Sequence, residues 1–168
     1  FAGDILFYYG DAAPNFAPPK QIIPGLGSGY DYDYINTDVL VRNLSYENGE
    51  LKLSQGQKYK ILVLPDSHTI NPEALEKVIG LLKQGAIVIG TKPFKSHGLL
   101  NWQENDAKIR RLADPVWGDL DGREKLVRPA GKGLLYWGMP LREVLMKNGI
   151  SPDVDFSGNA PAEALDFI

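Results

Sequence analysis

Residues 60 to 90 confine the fold more tightly than any other part of the chain. Two short apolar runs, Lys60-Ile61-Leu62-Val63-Leu64 and Ala86-Ile87-Val88-Ile89-Gly90, bracket a stretch with helical periodicity. Each run is apolar almost without alternation, as a strand covered on both faces must be. The first stops at Pro65, which has no amide to offer a ladder. Asn71 is placed to cap a helix and Pro72 to open it, because a proline in the first turn gives up only an N–H that lacks a partner there. Leu75, Val78, Ile79 and Leu82 follow at i, i+3, i+4 and i+7, making one apolar stripe, and Gly85 supplies the stop. Strand, helix and strand in this order form a crossover between parallel strands, which predicts an α/β protein.

The flanking sequence continues the alternation. Asp4 to Tyr9 is an apolar and aromatic run closed by Gly10, and Tyr32 to Ile35 and Gly133 to Trp137 read as further strands. Asn36 is expected to cap a short helix reaching Leu44, and Asn48-Gly49 to turn a small hairpin from Ser45 to Leu53. Ile109, Leu112, Ala113 and Val116 have helical spacing within a segment starting near Glu104, which Asp114-Pro115 is expected to break. A last helix should have Pro140 near its start and Gly149 past its end. Five parallel strands in the order 2-1-3-4-5 with helices on both faces, a three-layer α/β sandwich, is the predicted architecture.

At 168 residues without a cysteine, the chain is expected to form one domain, 1–168, whose core needs no disulfide or metal staple. Its net charge of −3, with the basic residues scattered, speaks against a nucleic-acid partner, which requires a clustered cationic face. No apolar run approaches the roughly 20 residues that span a bilayer, and no membrane partner is expected. The start inside a strand-like run and the apolar Ala164-Leu165-Asp166-Phe167-Ile168 at the other end suggest a piece of a larger protein.

Candidate chemistry is sparse. Many α/β hydrolases and amidotransferases carry their nucleophile at the turn after a central strand, the place taken here by Thr91-Lys92-Pro93, with neither a cysteine nor a Gly-x-Ser-x-Gly elbow. Gly25-Leu26-Gly27-Ser28-Gly29 lacks the following helix and Lys-Ser/Thr of a phosphate loop. Asp66-Ser67-His68 contains triad-type residues, but sequence neighbours at a strand end point in different directions and suit turn chemistry better. His68 and His97 do not have metal-ligand spacing, so no metal is expected. From Asp11 to Gly29 runs a long segment rich in proline and glycine, with no helical period, leaving the carboxyl end of the first strand where open α/β sheets bind ligands. In Asp31-Tyr32-Asp33-Tyr34, strand alternation puts the two aspartates on one face and the two tyrosines on the other. Paired carboxylates can share acid and base roles in glycoside cleavage, although an edge strand with solvated aspartates is the simpler account.

Three groups of residues carry a family likeness. Gly3-Asp4-Ile5-Leu6-Phe7-Tyr8-Tyr9-Gly10-Asp11 with Pro14-Asn15-Phe16, Gly29-Tyr30-Asp31-Tyr32-Asp33-Tyr34-Ile35-Asn36, and Leu62-Val63-Leu64-Pro65-Asp66-Ser67 resemble the glutamine-amidotransferase-like, flavodoxin-like domain of α-L-rhamnosidases of glycoside hydrolase family 106. Lys92-Pro93, Arg111-Leu112-Ala113-Asp114 with Trp117-Gly118-Asp119, and Gly131-Lys132-Gly133 with Tyr136-Trp137-Gly138 extend the likeness over nearly the whole chain. The resemblance implies an accessory domain without catalytic residues or cofactor, beside a catalytic barrel of the same parent chain, with carbohydrate as a second partner and a periplasmic or extracellular bacterial location. The residues expected to meet at the carboxyl end of the first strand, as a surface for the barrel or for sugar, are Asp11, Asn15, Phe16, Tyr30, Asp31 and Asp33. The competing expectations are a free-standing amidotransferase-like or small hydrolase using Asp11, Asp31 or Asp33, a flavin binder, and a domain of a β-galactosidase-like parent.

Overall fold

The computed structural model describes residues 3–11, 23, 26, 29–98 and 100–152. The strands are β1 Ile5–Tyr8, β2 Tyr32–Ile35, β3 Leu44–Glu47, β4 Glu50–Leu53, β5 Lys58–Tyr59, β6 Ile61–Val63, β7 Ile87–Ile89, β8 Val127–Ala130 and β9 Gly133–Tyr136. The helices are α1 Thr37–Asn43, α2 Pro72–Gln84, α3 Trp102–Trp117 and α4 Leu141–Lys147. Among the described residues the main sheet has the order β2-β1-β6-β7-β9-β8, parallel except for the β8–β9 pair, so the five predicted parallel strands have the predicted order.

Alternation along the strands divides two cores. Leu6, Tyr8, Leu62, Leu64, Val88 and Leu135 face α1, α2 and α3, while Ile5, Ile61 and Tyr136 face Val144 and Leu145 of α4. The first face is the deeper, because three helices cover it; the second has the one short helix. Helix α2 follows the sequence expectation closely. The Asn71 side chain accepts from the Glu73 amide at 2.9 Å, Pro72 opens the helix, and the Gly85 amide donates to the Leu81 and Leu82 carbonyls. Asn36 likewise caps α1 through the Val39 amide at 2.9 Å. Asn48 and Gly49 have φ of 53° and 86°, the left-handed pair that a tight hairpin turn requires, and join β3 to β4.

Three features depart from the expectation. The run at 60–64 supplies β6 as expected, but an unpredicted strand precedes it directly: Lys58–Tyr59 pairs with β4 in a small antiparallel sheet, and the chain then enters the main sheet at Ile61. Tyr59, fully buried, is the pivot of that crossing. Strand β8 lacked a signal because it is an edge strand containing Pro129. The Trp137 amide donates to the Leu126 carbonyl at 2.9 Å. Counting the register from that bond, Pro129 takes a position whose amide would point away from the sheet, so the proline costs no ladder bond and blunts the open edge.

The third departure is α3, which passes through Pro115 to Trp117 instead of breaking at Asp114. Near a helix end the proline removes one i→i−4 bond, at a cost of up to about 3 kcal/mol. Trp117 opposes this: it is fully buried, and its indole N–H donates to the Gly90 carbonyl at 3.0 Å. Burying an indole removes roughly 200 Å² from water, about 5 kcal/mol at 25 cal/mol per Å², so tertiary packing outweighs the local penalty. Trp117→Phe keeps most of this burial but leaves the Gly90 carbonyl without the indole, and should cost about 1–3 kcal/mol. Trp117→Ala adds a cavity and should cost about 3–5 kcal/mol. Urea titrations of both variants test the ranking; a Phe variant as stable as the parent would show that the buried bond contributes nothing.

Candidate functional site

All five parallel strands end on one edge, so the loops after β1, β6 and β7 lie side by side there. Neighbouring β1 and β6 send their connections in opposite directions along the sheet, the arrangement that opens a crevice in α/β folds. Gly10 stands there with φ of 74°, and a Cβ on it would meet Pro65 Cγ at 3.1 Å. The glycine is therefore required both for its left-handed backbone and for close approach of the two loops.

Beyond Gly10 the Tyr8 hydroxyl, the Thr37 hydroxyl and the Asp11 carboxylate form a chain. Thr37 Oγ1 lies 2.8 Å from the Tyr8 oxygen and donates its proton to Asp11, which leaves Tyr8 as the donor to Thr37. Tyr8 is buried and Asp11 exposed, so the chain links the core to the surface at the first turn of α1. Burial, to which the Asp11 charge adds, pushes the Tyr8 phenol up to about 12.

A second set joins the β6 and β7 connections. Thr91 Oγ1 donates to Asp66 Oδ1 at 2.7 Å, and His68 Nδ1 donates to the Lys92 carbonyl at 2.9 Å, which fixes the tautomer because a carbonyl only accepts. Ser67 Oγ accepts from the Thr69 amide at 3.1 Å, a local turn bond. Asp66 and His68 therefore bridge two loops instead of serving only the turn into α2. Lys92 Nζ reaches Asp114 at 3.0 Å, and the His68 and Phe94 rings lie 4.7 Å apart. Thr91, at the expected nucleophile position, thus holds a carboxylate, and the preceding Gly90 carbonyl holds the Trp117 indole. The sequence marks that turn for what it lacks and gives no sign of the Asp66–Thr91 pair, because the residues lie 25 positions apart in the loops after different strands.

The expected convergence of the aspartates does not occur. Parallel pairing sets Tyr32 opposite Ile5 and Ile35 opposite Tyr8, so Tyr30 and Asp31 lie at the amino end of β2, across the sheet from Asp11. At about 3.3 Å per residue the two edges are more than ~10 Å apart. Tyr30 is buried, its hydroxyl donates to the Ile150 carbonyl at 3.3 Å, and the Arg142 guanidinium lies 5.9 Å from its ring centre. Asp31 Oδ1 accepts from the Tyr32 amide at 2.9 Å. Asp33, midway along β2, accepts from the Tyr59 hydroxyl at 2.6 Å, tying the small sheet to the main one. Burial, then the Asp33 bond and the two aspartate charges, raise the Tyr59 phenol well above its ordinary value. The expected division of faces does hold, since Tyr32 and Tyr34 pack against Phe7 on the α4 side at 5.5 and 5.1 Å between ring centres. Asn15 and Phe16 lie outside the described residues, as does most of Gly25 to Gly29. Among the described residues no group of three or more His, Cys, Asp or Glu could hold a metal, and no helix is long and apolar enough to cross a membrane.

A pH dependence follows from the raised phenols. A tyrosine whose folded pKa exceeds its unfolded value of 10 stabilises the fold fully below pH 10 and loses that contribution as the pH climbs through its folded value, about 12 for Tyr8. Denaturant stability should therefore be level up to pH 10 and fall above it, with a shallower fall in Tyr8→Phe. An unchanged slope in that variant would remove Tyr8 from the transition.

The full length, residues 1–168, matches glycoside hydrolase family 106, described as α-L-rhamnosidase. Over 115 residues, 68% of the chain, it is 42% identical to a protein of Formosa agariphila provisionally named a β-glucuronidase, and the match covers 10% of that protein. The structure of a rhamnosidase from Novosphingobium sp. PP1Y superposes with a TM-score of 0.77 at 25% identity, over 95% of this chain and 15% of that one. Both relatives are far longer than the region they share with this chain, which by its full-length match belongs to the α-L-rhamnosidase family, glycoside hydrolase family 106.

Proposed function

We propose that this chain is a non-catalytic accessory domain of a larger α-L-rhamnosidase-type glycosidase, with a flavodoxin-like, amidotransferase-like fold. The strand order supports the fold reading, since 2-1-3-4-5 winding with ligand loops at the carboxyl edge is the flavodoxin pattern. The observation that carries the functional reading is the state of the turn after β7. Both groups an elbow would free for chemistry are engaged structurally, the Gly90 carbonyl by a buried indole and the Thr91 hydroxyl by Asp66. In this reading bond cleavage belongs to a barrel elsewhere in the parent, and the Tyr8–Thr37–Asp11 chain presents one ordered carboxylate toward it. In the same reading carbohydrate meets this domain as a neighbour of the barrel's cleft.

One observation favours a rival, a hydrolase built on this domain: a hydroxyl 2.7 Å from a carboxylate has the geometry of a nucleophile with its base. A carboxylate is a weak base for an alcohol, however, and the neighbouring His68 Nδ1 is engaged by the Lys92 carbonyl instead of by Thr91.

In the full-length parent acting on an aryl rhamnoside, Thr91→Val and Asp11→Asn should leave kcat within about twofold of wild type. Asp11→Ala, which leaves nothing at that position to accept from Thr37, should raise KM or lower the melting temperature. A loss of about a hundredfold or more in kcat with Thr91→Val, the size expected for a lost nucleophile–base pair, would replace this reading with the hydrolase.

A further inference from the structure

The connection from β7 to α3 holds three large apolar side chains in water within nine residues. Phe94 is 37% exposed, Leu100 82% and Trp102 52%. The other exposed large apolar residues among those described, Val127 and Met146, occur singly, as is ordinary on a protein surface. The connection is also held firmly. The Phe94 and Lys95 amides donate to the His68 carbonyl at 2.9 and 3.2 Å, and the Ile70 amide to the Lys95 carbonyl at 3.0 Å. The buried Asp106 carboxylate accepts from the Ser96 amide and hydroxyl at 2.7 and 3.0 Å, and Asn105 Nδ2 donates to the Leu100 carbonyl at 3.2 Å. Phe94 is sandwiched on one side by His68, with Lys95 Nζ 5.7 Å from its ring centre.

We propose that this connection is the anchor by which the domain docks against another domain of the same parent chain, with Phe94 and Trp102 as the buried contacts. The proposal rests on the accessory-domain reading. Rigid aromatic side chains lose little entropy on contact and dominate interface energies, and a connection pinned at both ends presents them without further ordering. The shared region is 10% and 15% of two relatives' length, so a parent of their proportions supplies a neighbouring domain tethered in the same chain. The connection leaves the same sheet edge as Asp11 and Thr37, from a strand two places along the sheet from β1. Lys95 at its centre calls for a carboxylate among apolar groups on the opposing surface.

Hydroxyl-radical footprinting of the full-length, substrate-free parent tests the assignment, with exposed Met146 as internal reference. Phe94 and Trp102 should lose most of their labelling relative to the rate their side chains show in a urea-unfolded control, while Met146 stays reactive. Phe94 stacks on His68, so the variant for this readout is Trp102→Ala, a half-exposed side chain whose truncation should leave the domain folded yet release it as a separate fragment in limited proteolysis of the parent. Full labelling of Trp102 in the folded parent overturns the proposal. So does labelling that disappears only when a rhamnose-containing oligosaccharide is added, which would make the patch a sugar platform. Neither readout depends on turnover, so docking can fail while the non-catalytic reading stands, and the reverse.

Discussion

The hydrogen bond from the Trp117 indole to the Gly90 carbonyl is the contact on which the carboxyl edge of this molecule depends. It joins the last turn of α3 to the end of the central strand inside the core, in surroundings where an unpaired carbonyl is costly. Gly90 leaves no room for a side chain, since a Cβ there would fall 2.7 Å from Leu64. The strand end is thus pressed between Leu64 and Trp117. With Gly90 fixed, Thr91 meets Asp66, Lys92 meets both His68 and Asp114, and the connection that follows is stitched to the β6 loop. The same bond explains why a helix tolerates Pro115 two residues before its anchor.

The sequence was most legible where local chemistry and tertiary demand agree. Asn71, Pro72 and Gly85 bound α2 as their side chains require, the stripe of Leu75, Val78, Ile79 and Leu82 faces the core, and the apolar runs pair in the predicted order. Legibility failed where a distant partner decides. Nothing near Pro115 announces that Trp117 will be buried against Gly90, and no period marks β8, whose residues alternate between exposed and half-buried on an edge. The split at Lys60 is hidden for a related reason: Tyr59 and Ile61 are both buried, but in different sheets.

The candidate site illustrates the same limit more sharply. Alternation along β2 correctly separated the tyrosines from the aspartates, because that is a local property of an extended chain. Their distance from Asp11 is set by the parallel register, which no residue within β2 encodes. Consequently Asp33 becomes a strut for Tyr59, and Asp31 turns back on its own strand's first amide, while Asp11 alone of the described candidates reaches the carboxyl edge.

These placements bear on what the carboxyl edge of this sheet is free to do. The carboxyl edge of a doubly wound sheet is valuable to an enzyme because backbone groups and side chains there are left unpaired and can turn toward a ligand. In this chain the corresponding groups are paired with one another: carbonyl with indole, hydroxyl with carboxylate, imidazole with carbonyl, glycine against proline. Each pairing trades freedom to react for stiffness, and a stiff edge is what a domain needs if its task is to hold a neighbour in place. Among the described residues, exposed apolar surface follows β7 in Phe94, Leu100 and Trp102, whose burial would favour association with little directional demand. Polar satisfaction inside the edge and apolar exposure along its rim are therefore two sides of one arrangement, in which groups that open sheets leave free are held by one another.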